Sequence, residues 1–356
     1  MVDVILVAGG TGGHLFPAVA TIEELITKGI SYKLITDNRC VNYLADSNLD
    51  YQVFQLKSLS GSIFSKLKWC IHALIVLFRL ICFYIHLKPK LIVGFGGYPS
   101  FLPLLAARIL RIKVVIHEQN IFLGKANAFF QSYAKFLATS FNKTLNIASK
   151  YSNKIINTGN PVRKRFSDIA KKPEDFNVIE NFCILILGGS QGAQIFTKIM
   201  PQILPLVKNY HKIKIIQQAK KEDIASLQEQ YQKIGVEYVI ADFFTNIVDL
   251  YSCAHLVIAR AGASTISELI TIKQPNILVP LPSSTQDHQK LAAEFMETNQ
   301  ASFCVLEQNN IVEKIAMHIN AIMQDKAIMV KQHNNLSALN IKNAAENLSN
   351  LIINTI

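Results

Sequence analysis

The middle of the sequence is almost devoid of acid. Between Tyr51 and Ser167 a single carboxylate, Glu118, stands against 17 lysines and arginines. Residues 1–167 hold 20 Lys and Arg against 7 Asp and Glu, and residues 168–356 hold 16 against 18. The net charge of +11 therefore resides in the first half. Drift in a basic proteome would not spare the second half; nucleic acid, anionic lipid or a polyphosphate substrate each fits such a face. Also missing is any Cys-x-x-Cys pair or Cys/His cluster among the six cysteines (40, 70, 82, 183, 253 and 304). That absence argues against structural zinc and for a reducing compartment. No Asp-x-Asp occurs, so no metal-bridged diphosphate is suggested. The start, MVDVILVAGG, lacks a basic leader and a long apolar stretch; it reads as a buried strand containing an acid, and export is not expected. Half of the 356 residues are apolar and 17% are charged, which excludes a disordered chain and gives a prior of about two domains.

What is present is alternation. DVILVA (3–8), YKLIT (32–36), LIVGF (91–95) and KVVIH (113–117) read as strands, separated by helices over Phe16–Lys28, Ile63–Leu87 and Pro99–Leu110. The plan restarts with CILILG (183–188), KIKIIQ (212–217), VEYVIA (236–241), HLVIA (255–259) and NILVP (276–280), with helices from Gly192, near Lys221–Ile234 and from Ser264. This spacing implies βαβ units and parallel sheets, hence an α/β protein with two similar halves. The seam falls near Gly159–Lys172, and the polar helical stretch Lys326–Ile356 is a candidate to dock back across it.

A glycine-rich turn opens each half: GGTGGH at Gly9–His14 and GGSQGA at Gly188–Ala193, each after a strand and before a helix. Glycines permit close backbone approach, and the helix N-terminus offers N–H groups and a positive dipole end to phosphate. Neither turn matches GxGxxG with an acid about twenty residues on, as a dinucleotide site requires. Glu23 and Glu24 come too soon, and only Asp37 stands at a ribose-binding distance.

GGTGGH, GFGGY (Gly94–Tyr98), HEQN (His117–Asn120), GNPVR (Gly159–Arg163), GGSQGA and RAGASTISE (Arg260–Glu268) occur in the order found in the MurG family. Over nearly its whole length the chain resembles those glycosyltransferases of the bacterial cell envelope. The resemblance implies a GT-B fold, with two Rossmann-like domains facing across a cleft. It implies an acceptor- and membrane-binding domain over 1–162, a UDP-GlcNAc-binding domain over 163–325, and a helical segment over 326–356 packing back on the first domain. The implied reaction moves N-acetylglucosamine, with inversion, from UDP-GlcNAc to the MurNAc 4-hydroxyl of undecaprenyl-pyrophosphoryl-MurNAc-pentapeptide (lipid I). The product is lipid II for peptidoglycan synthesis. The implied location is the cytoplasmic face of the bacterial inner membrane, as a peripheral protein on an anionic surface. Other cell-wall synthesis proteins are candidate partners, nucleic acid is not, and neither cofactor nor metal is implied.

By the same resemblance Ser190 meets phosphate, Phe244 the uracil, Ala263, Ser264, Thr265, Ile266, Ser267 and Glu268 the ribose and phosphate, and Gln289 the sugar. Thr11, Gly12, Gly13, Asn120 and Arg163 complete the donor site from the other domain, while His14 and Glu118 fall on the acceptor side. The chain departs from the pattern at Thr197, where Asn is usual, and at Lys290, where Gln is frequent.

The residues themselves lead the same way. Glu268, one to two turns into a helix, is suited to accept both ribose hydroxyls; its alternative role is a capping box with Ser264. His14, at a helix N-terminus, is suited to act as a general base or else fixes its loop. Glu118 leaves a strand C-terminus, where α/β sites lie, and either positions the acceptor, takes its proton or neutralises neighbouring cations. Arg163 is either interdomain or phosphate-binding.

The stretch Trp69–Leu87 is almost wholly apolar, with His72, Arg79 and His86 recurring every seven residues on one stripe. A helix that half-buries on the sheet and half-dips into the bilayer accounts for that stripe better than a true span or full burial. The rival readings of the whole chain are a glycosyltransferase with a diacylglycerol acceptor, a UDP-sugar 2-epimerase and a non-catalytic membrane adaptor; HEQN and GNPVR favour the lipid I reading.

Overall fold

The structure is a computed structural model. It describes residues 2–45, 47–56, 63–176 and 181–356, without the side chains of 63–67, 190–193 and 285. The chain divides into two units, Met1–Arg163 with Ile341–Ile356, and Lys164–Asn340.

The first unit is built on seven strands: β1 (Val4–Val7), β2 (Tyr32–Thr36), β3 (Tyr51–Val53), β4 (Leu91–Gly94), β5 (Lys113–Glu118), β6 (Phe136–Thr139) and β7 (Ile155–Asn157). All pairs are parallel, in the order β3-β2-β1-β4-β5-β6-β7. The second unit repeats the plan with β8 (Phe182–Leu187), β9 (Ile213–Gln218), β10 (Glu237–Ala241), β11 (Leu256–Ala259), β12 (Asn276–Leu278) and β13 (Phe303–Cys304), ordered β10-β9-β8-β11-β12-β13. These are two Rossmann-like domains, the GT-B fold. The central strands are unbroken apolar runs, VILV, LIVG and FCILIL, because a parallel sheet is covered by helices on both faces. Strand order reverses between β1 and β4 and again between β8 and β11. Ligands of such sheets bind beyond the strand C-termini at that reversal. Register puts Val7 opposite Gly94, and Ala259 opposite Leu187. The glycine turns leaving β1 and β8 therefore emerge at the two reversals.

The stretch 326–356 does not act as one piece. The helix Ala327–Leu339 stays in the second unit, where Met329 enters the core and Gln332 Oε1 accepts the Asn276 amide at 2.9 Å. Only 341–356 joins the first unit. There Leu348 and Ile352 of the helix Ala344–Ile353 pack into the cluster of Leu15, Ala18 and Ile22, on the helix Gly12–Thr27. Lys28 Nζ bonds Ser349 Oγ at 2.9 Å, and Lys113 Nζ bonds the Thr355 carbonyl at 2.8 Å.

The helix Ile63–Leu87 has two apolar faces with different fates. Ala73, Val76, Leu80 and Tyr84 are buried with Phe54, Leu102 and Leu104 in the first unit's core. Ile71, Leu74, Ile75, Phe78 and Ile85 are exposed, Phe78 at 68%. Of the expected cationic stripe, His72 bonds the Gln55 carbonyl at 2.8 Å and Arg79 lies over the Phe54 ring, 6.0 Å from its centroid. Among the described residues Lys68–Leu87 is the one helical stretch long and apolar enough to cross a membrane, but its buried face is already committed to the sheet. Leu80→Ala should cost about 2–5 kcal/mol by opening a cavity in that core. Leu74→Ala on the exposed face should change stability by no more than about 0.5 kcal/mol. Urea denaturation of the two variants checks the pair, and equal losses would contradict the division of faces.

Candidate active site

In the first unit the site residues gather where β1, β4 and β5 end. Helix Gly12–Thr27 begins earlier than the sequence pattern suggests, with Thr11 as N-cap in extended geometry and no side-chain capping bond. His14 therefore lies in the first helical turn. Its Nδ1 is 3.0 Å from Gln119 Oε1. Gln119 Nε2 is 2.9 Å from His117 Nδ1, and His117 Nε2 is 3.1 Å from the Gly159 carbonyl oxygen. Beside His14 the turn after β4 passes through Gly97 at φ +70, where a Cβ would come within 3.1 Å of both Nε2 and Cδ2 of the imidazole. A side chain there would crowd the ring and strain the backbone.

Glu118 occupies a different role from the proton acceptor weighed above. Its carboxylate is 2% exposed and accepts four hydrogen bonds. Oε1 takes the Asn120 amide N–H and Asn120 Nδ2, each at 3.0 Å; Oε2 takes the Gly124 amide at 2.9 Å and Asn127 Nδ2 at 2.7 Å. A carboxylate with four donors has no lone pair left for an incoming proton. It ties the loop after β5 to the helix Lys125–Phe130, and Asn120 serves that tie. Thr11 is exposed and Gly12 and Gly13 are half-buried in the first turn. Half-buried Arg163 stacks over the Phe16 ring of the same helix, 4.4 Å from its centroid.

Sequence reasoning missed Arg39. Its guanidinium lies against Gly10, pairs with buried Asp37 at 2.6 Å and stacks over the Tyr98 ring, 4.7 Å from its centroid. Asp37 also accepts the Arg39 amide at 3.0 Å, so the carboxylate considered for ribose is engaged within its own turn. Glu118 and Gln119 are consecutive in the chain but serve different partners, and their spacing alone carries no sign of it.

In the second unit the loops after β8, β10, β11 and β12 carry the expected donor residues. The helix Gly189–Ile203 starts directly after β8, with Gly188 as N-cap and no side-chain capping bond. The side chain of Ser190 lies outside the described residues. Next to it in the sheet order, Gly262 caps the helix Ala263–Ile272, again without a side-chain bond. Ser264 and Thr265 thus sit in its first turn, half-buried, with Ile266 buried beneath them. Ser267 Oγ turns back to the Ala263 carbonyl at 2.8 Å. Glu268 lies in the second turn, and its Oε2 accepts the hydroxyl of fully buried Tyr251 at 3.2 Å. The capping-box alternative is not what the structure contains. Arg260, 7% exposed, donates to the carbonyls of Val279 and Pro280 at 3.1 and 3.2 Å, pairs with Glu307 and lies over the Phe196 ring. It holds the strand ends together beneath the helix start. Phe244 is half-buried after β10, and Gln289 Oε1 accepts the Leu281 amide at 3.0 Å after β12. Among the described residues no group of three or more His, Cys, Asp and Glu forms a metal-holding cluster.

Two doubly wound parallel sheets, each with a glycine turn leading into a helix at its reversal, define an α/β class with places suited to phosphate-bearing ligands. The family is specific: residues 4–139 match the glycosyltransferase family 28 N-terminal domain and residues 183–348 its C-terminal domain. The chain belongs to glycosyltransferase family 28 and is an enzyme of that class. It is 43% identical, over 357 residues and 99% of each chain, to the UDP-N-acetylglucosamine--N-acetylmuramyl-(pentapeptide) pyrophosphoryl-undecaprenol N-acetylglucosamine transferase of Rickettsia canadensis (strain McKiel). The crystal structure of Acinetobacter baumannii MurG is similar with TM-score 0.79 and 26% identity, covering 99% of this chain and 100% of that one. UDP-GlcNAc 2-epimerase from Neisseria meningitidis, bound to UDP-GlcNAc, shares the fold with TM-score 0.68 at 17% identity, covering 99% of each chain.

Burial pushes the pKa of His117 down to about 4, against its hydrogen bond to Gly159, which acts the other way, with the nearby His14 a smaller contribution downward. The unfolded chain therefore binds the extra proton first. Stability from this group is complete above about pH 6.5 and is lost as pH falls toward 4, by up to about 3 kcal/mol. Urea unfolding from pH 7 to 4.5 should show that decline, and the His117 ring proton in NMR should stay at its neutral position down to pH 5. A flat stability profile, or a ring that titrates near pH 6.5, would contradict the buried neutral imidazole.

Proposed function

We propose that the chain transfers N-acetylglucosamine from UDP-GlcNAc to undecaprenyl-pyrophosphoryl-MurNAc-pentapeptide, making lipid II for peptidoglycan. The observation that carries this reading is the 43% identity across 99% of both chains to a transferase named for that reaction. The epimerase reading has only the shared fold in its favour, and fold alone does not specify chemistry. In the second unit, the helix starts after β8 and β11 receive the diphosphate, with Ser190, Ala263, Ser264, Thr265, Ile266 and Ser267 assigned to it. Glu268, held by Tyr251, accepts the ribose hydroxyls; Phe244 meets the uracil and Gln289 the sugar. In the first unit, Thr11, Gly12, Gly13, Asn120 and Arg163 serve the donor as well, with Arg163 as the cation for phosphate. His14 Nε2 takes the proton from the MurNAc 4-hydroxyl. That oxygen bonds to the anomeric carbon from the face opposite UDP, the bond to the diphosphate breaks, and configuration inverts. The electron pair leaves with UDP, whose charge the helix ends and cations stabilise.

Incubation with labelled UDP-GlcNAc and a short-chain lipid I analogue tests the reaction directly. Product should form in EDTA. His14→Ala should lower kcat by about 10²–10⁴-fold while donor binding persists. Glu268→Ala should weaken UDP binding by about 1.5–3 kcal/mol, a charge-assisted bond's worth. Normal kcat in the first variant sinks the base, and unchanged affinity in the second sinks the ribose contact.

The same proposal places the protein peripherally on an anionic membrane, the cytoplasmic face of the inner membrane. What supports it is the exposed row Ile71, Leu74, Ile75, Phe78 and Ile85, flanked by exposed Lys68, Arg79, Lys88 and Lys90. Each cation near such a surface adds roughly 1 kcal/mol, screened by salt. Vesicle flotation should show binding to anionic lipid that high salt weakens and that Phe78→Asp with Leu74→Asp abolishes. Retention after alkaline carbonate would show a spanning helix instead.

A further inference from the structure

Behind His14 runs a hydrogen-bonded line whose members touch none of the substrate groups assigned above. It passes from His14 through Gln119 and His117 to the carbonyl of Gly159. Each link has one chemically allowed sense. A carbonyl oxygen only accepts, so His117 Nε2 carries a proton. The ring is fully buried and its pKa is pushed down to about 4, so it is neutral near pH 7 and its Nδ1 is an acceptor. Only the amide NH2 of Gln119 can donate to that nitrogen, which turns the amide oxygen toward His14. An amide oxygen accepts, so the His14 proton sits on Nδ1 and the lone pair on Nε2.

We propose that Gln119 and His117 are positioning residues that hold His14 in its Nδ1–H form, so that Nε2 is the atom that takes the acceptor's proton. This rests on His14 being the base. The arrangement matters because a free imidazole side chain favours the opposite tautomer, with the proton on Nε2, which has no lone pair there to offer. Burial protects the line: Gln119 is 1% exposed and His117 0%, so water does not compete for the links. Its far end is fixed by backbone. Gly159 sits at φ +77, and a Cβ there would come within 3.0 Å of the Ile341 and Ala344 side chains. The returning segment 341–356 thus closes over the residue whose carbonyl sets the sense of the whole chain. At the near end, Gly97 leaves room beside Nε2.

The experiment uses the full-length enzyme with nitrogen-15-labelled histidine. In the wild type at neutral pH, His14 Nδ1 should give the shift of a protonated ring nitrogen and Nε2 that of an unprotonated one. In Gln119→Ala the two should mix or reverse, and kcat should fall by about 10- to 100-fold, the cost typical of removing the partner that orients a metal-bound histidine. Affinity for UDP should stay within about twofold, since the loss lies in the chemical step. Gln119→Glu keeps an oxygen toward His14 Nδ1–H and adds a negative charge, so it should retain the tautomer and move the acidic limb of kcat to higher pH. A wild-type His14 protonated on Nε2, or a folded Gln119→Ala with normal kcat, overturns the proposal. If Gln119→Ala does not fold, the wild-type spectrum and the Gln119→Glu profile decide. Normal kcat in His14→Ala would instead remove the base itself, which separates failure of that reading from failure of this one.

Discussion

A parallel sheet exposes its backbone only at its ends, because helices must cover both of its faces. Everything this chain can do to a ligand is therefore displaced to the C-terminal edge of each sheet. Where the strand order reverses, crossover helices depart to opposite sides and leave an opening between neighbouring turns. The glycines after β1 and β8 stand at those openings, and so do the turns after β4 and β11. The central strands supply rigidity, since they are apolar runs that are nearly all buried, and the turns supply chemistry.

Much of this was legible in the residues. The central strands and both glycine turns stand out because an unbroken apolar run followed by glycines has few other readings. The short strands β3, β7 and β13 did not: two or three residues at sheet edges carry no periodicity to recognise. Nor did the helices His288–Thr298 and Ile311–Gln324, although the Pro/Ser/Thr/Asp-rich run 280–287 and Asn309 with Asn310 precede them. The stretch after Lys326 read as one helical segment, whereas Lys326–Asn340 and Ile341–Ile356 belong to different units. The break lies in which surfaces each helix covers, Met329 in one core and Leu348 in the other, and an apolar face does not name the core it will cover.

The site was legible as motifs and illegible as roles. His117-Glu-Gln-Asn120 is visible in sequence, yet alternation along β5 and the turn after it send neighbouring side chains to different partners. Glu118 turns into the loop, and Gln119 reaches between two histidines that lie 103 positions apart in the chain. Contacts between residues so distant in sequence leave no local signature. The Asp37–Arg39 pair is the converse case, a contact two residues apart whose meaning depends on Gly10, brought beside it by the sheet.

The scarcity of acid in the first half bears on the choice of base. The single carboxylate between Tyr51 and Ser167, Glu118, is filled by donors from Asn120, Gly124 and Asn127. With its lone pairs taken by those donors, it ties the loop and leaves no site for a further proton. An imidazole has two ring nitrogens, so one can be aimed by a hydrogen bond while the other stays available. Under the proposed reaction, a histidine steered from behind by an amide is thus the better choice for taking a proton in this half of the chain.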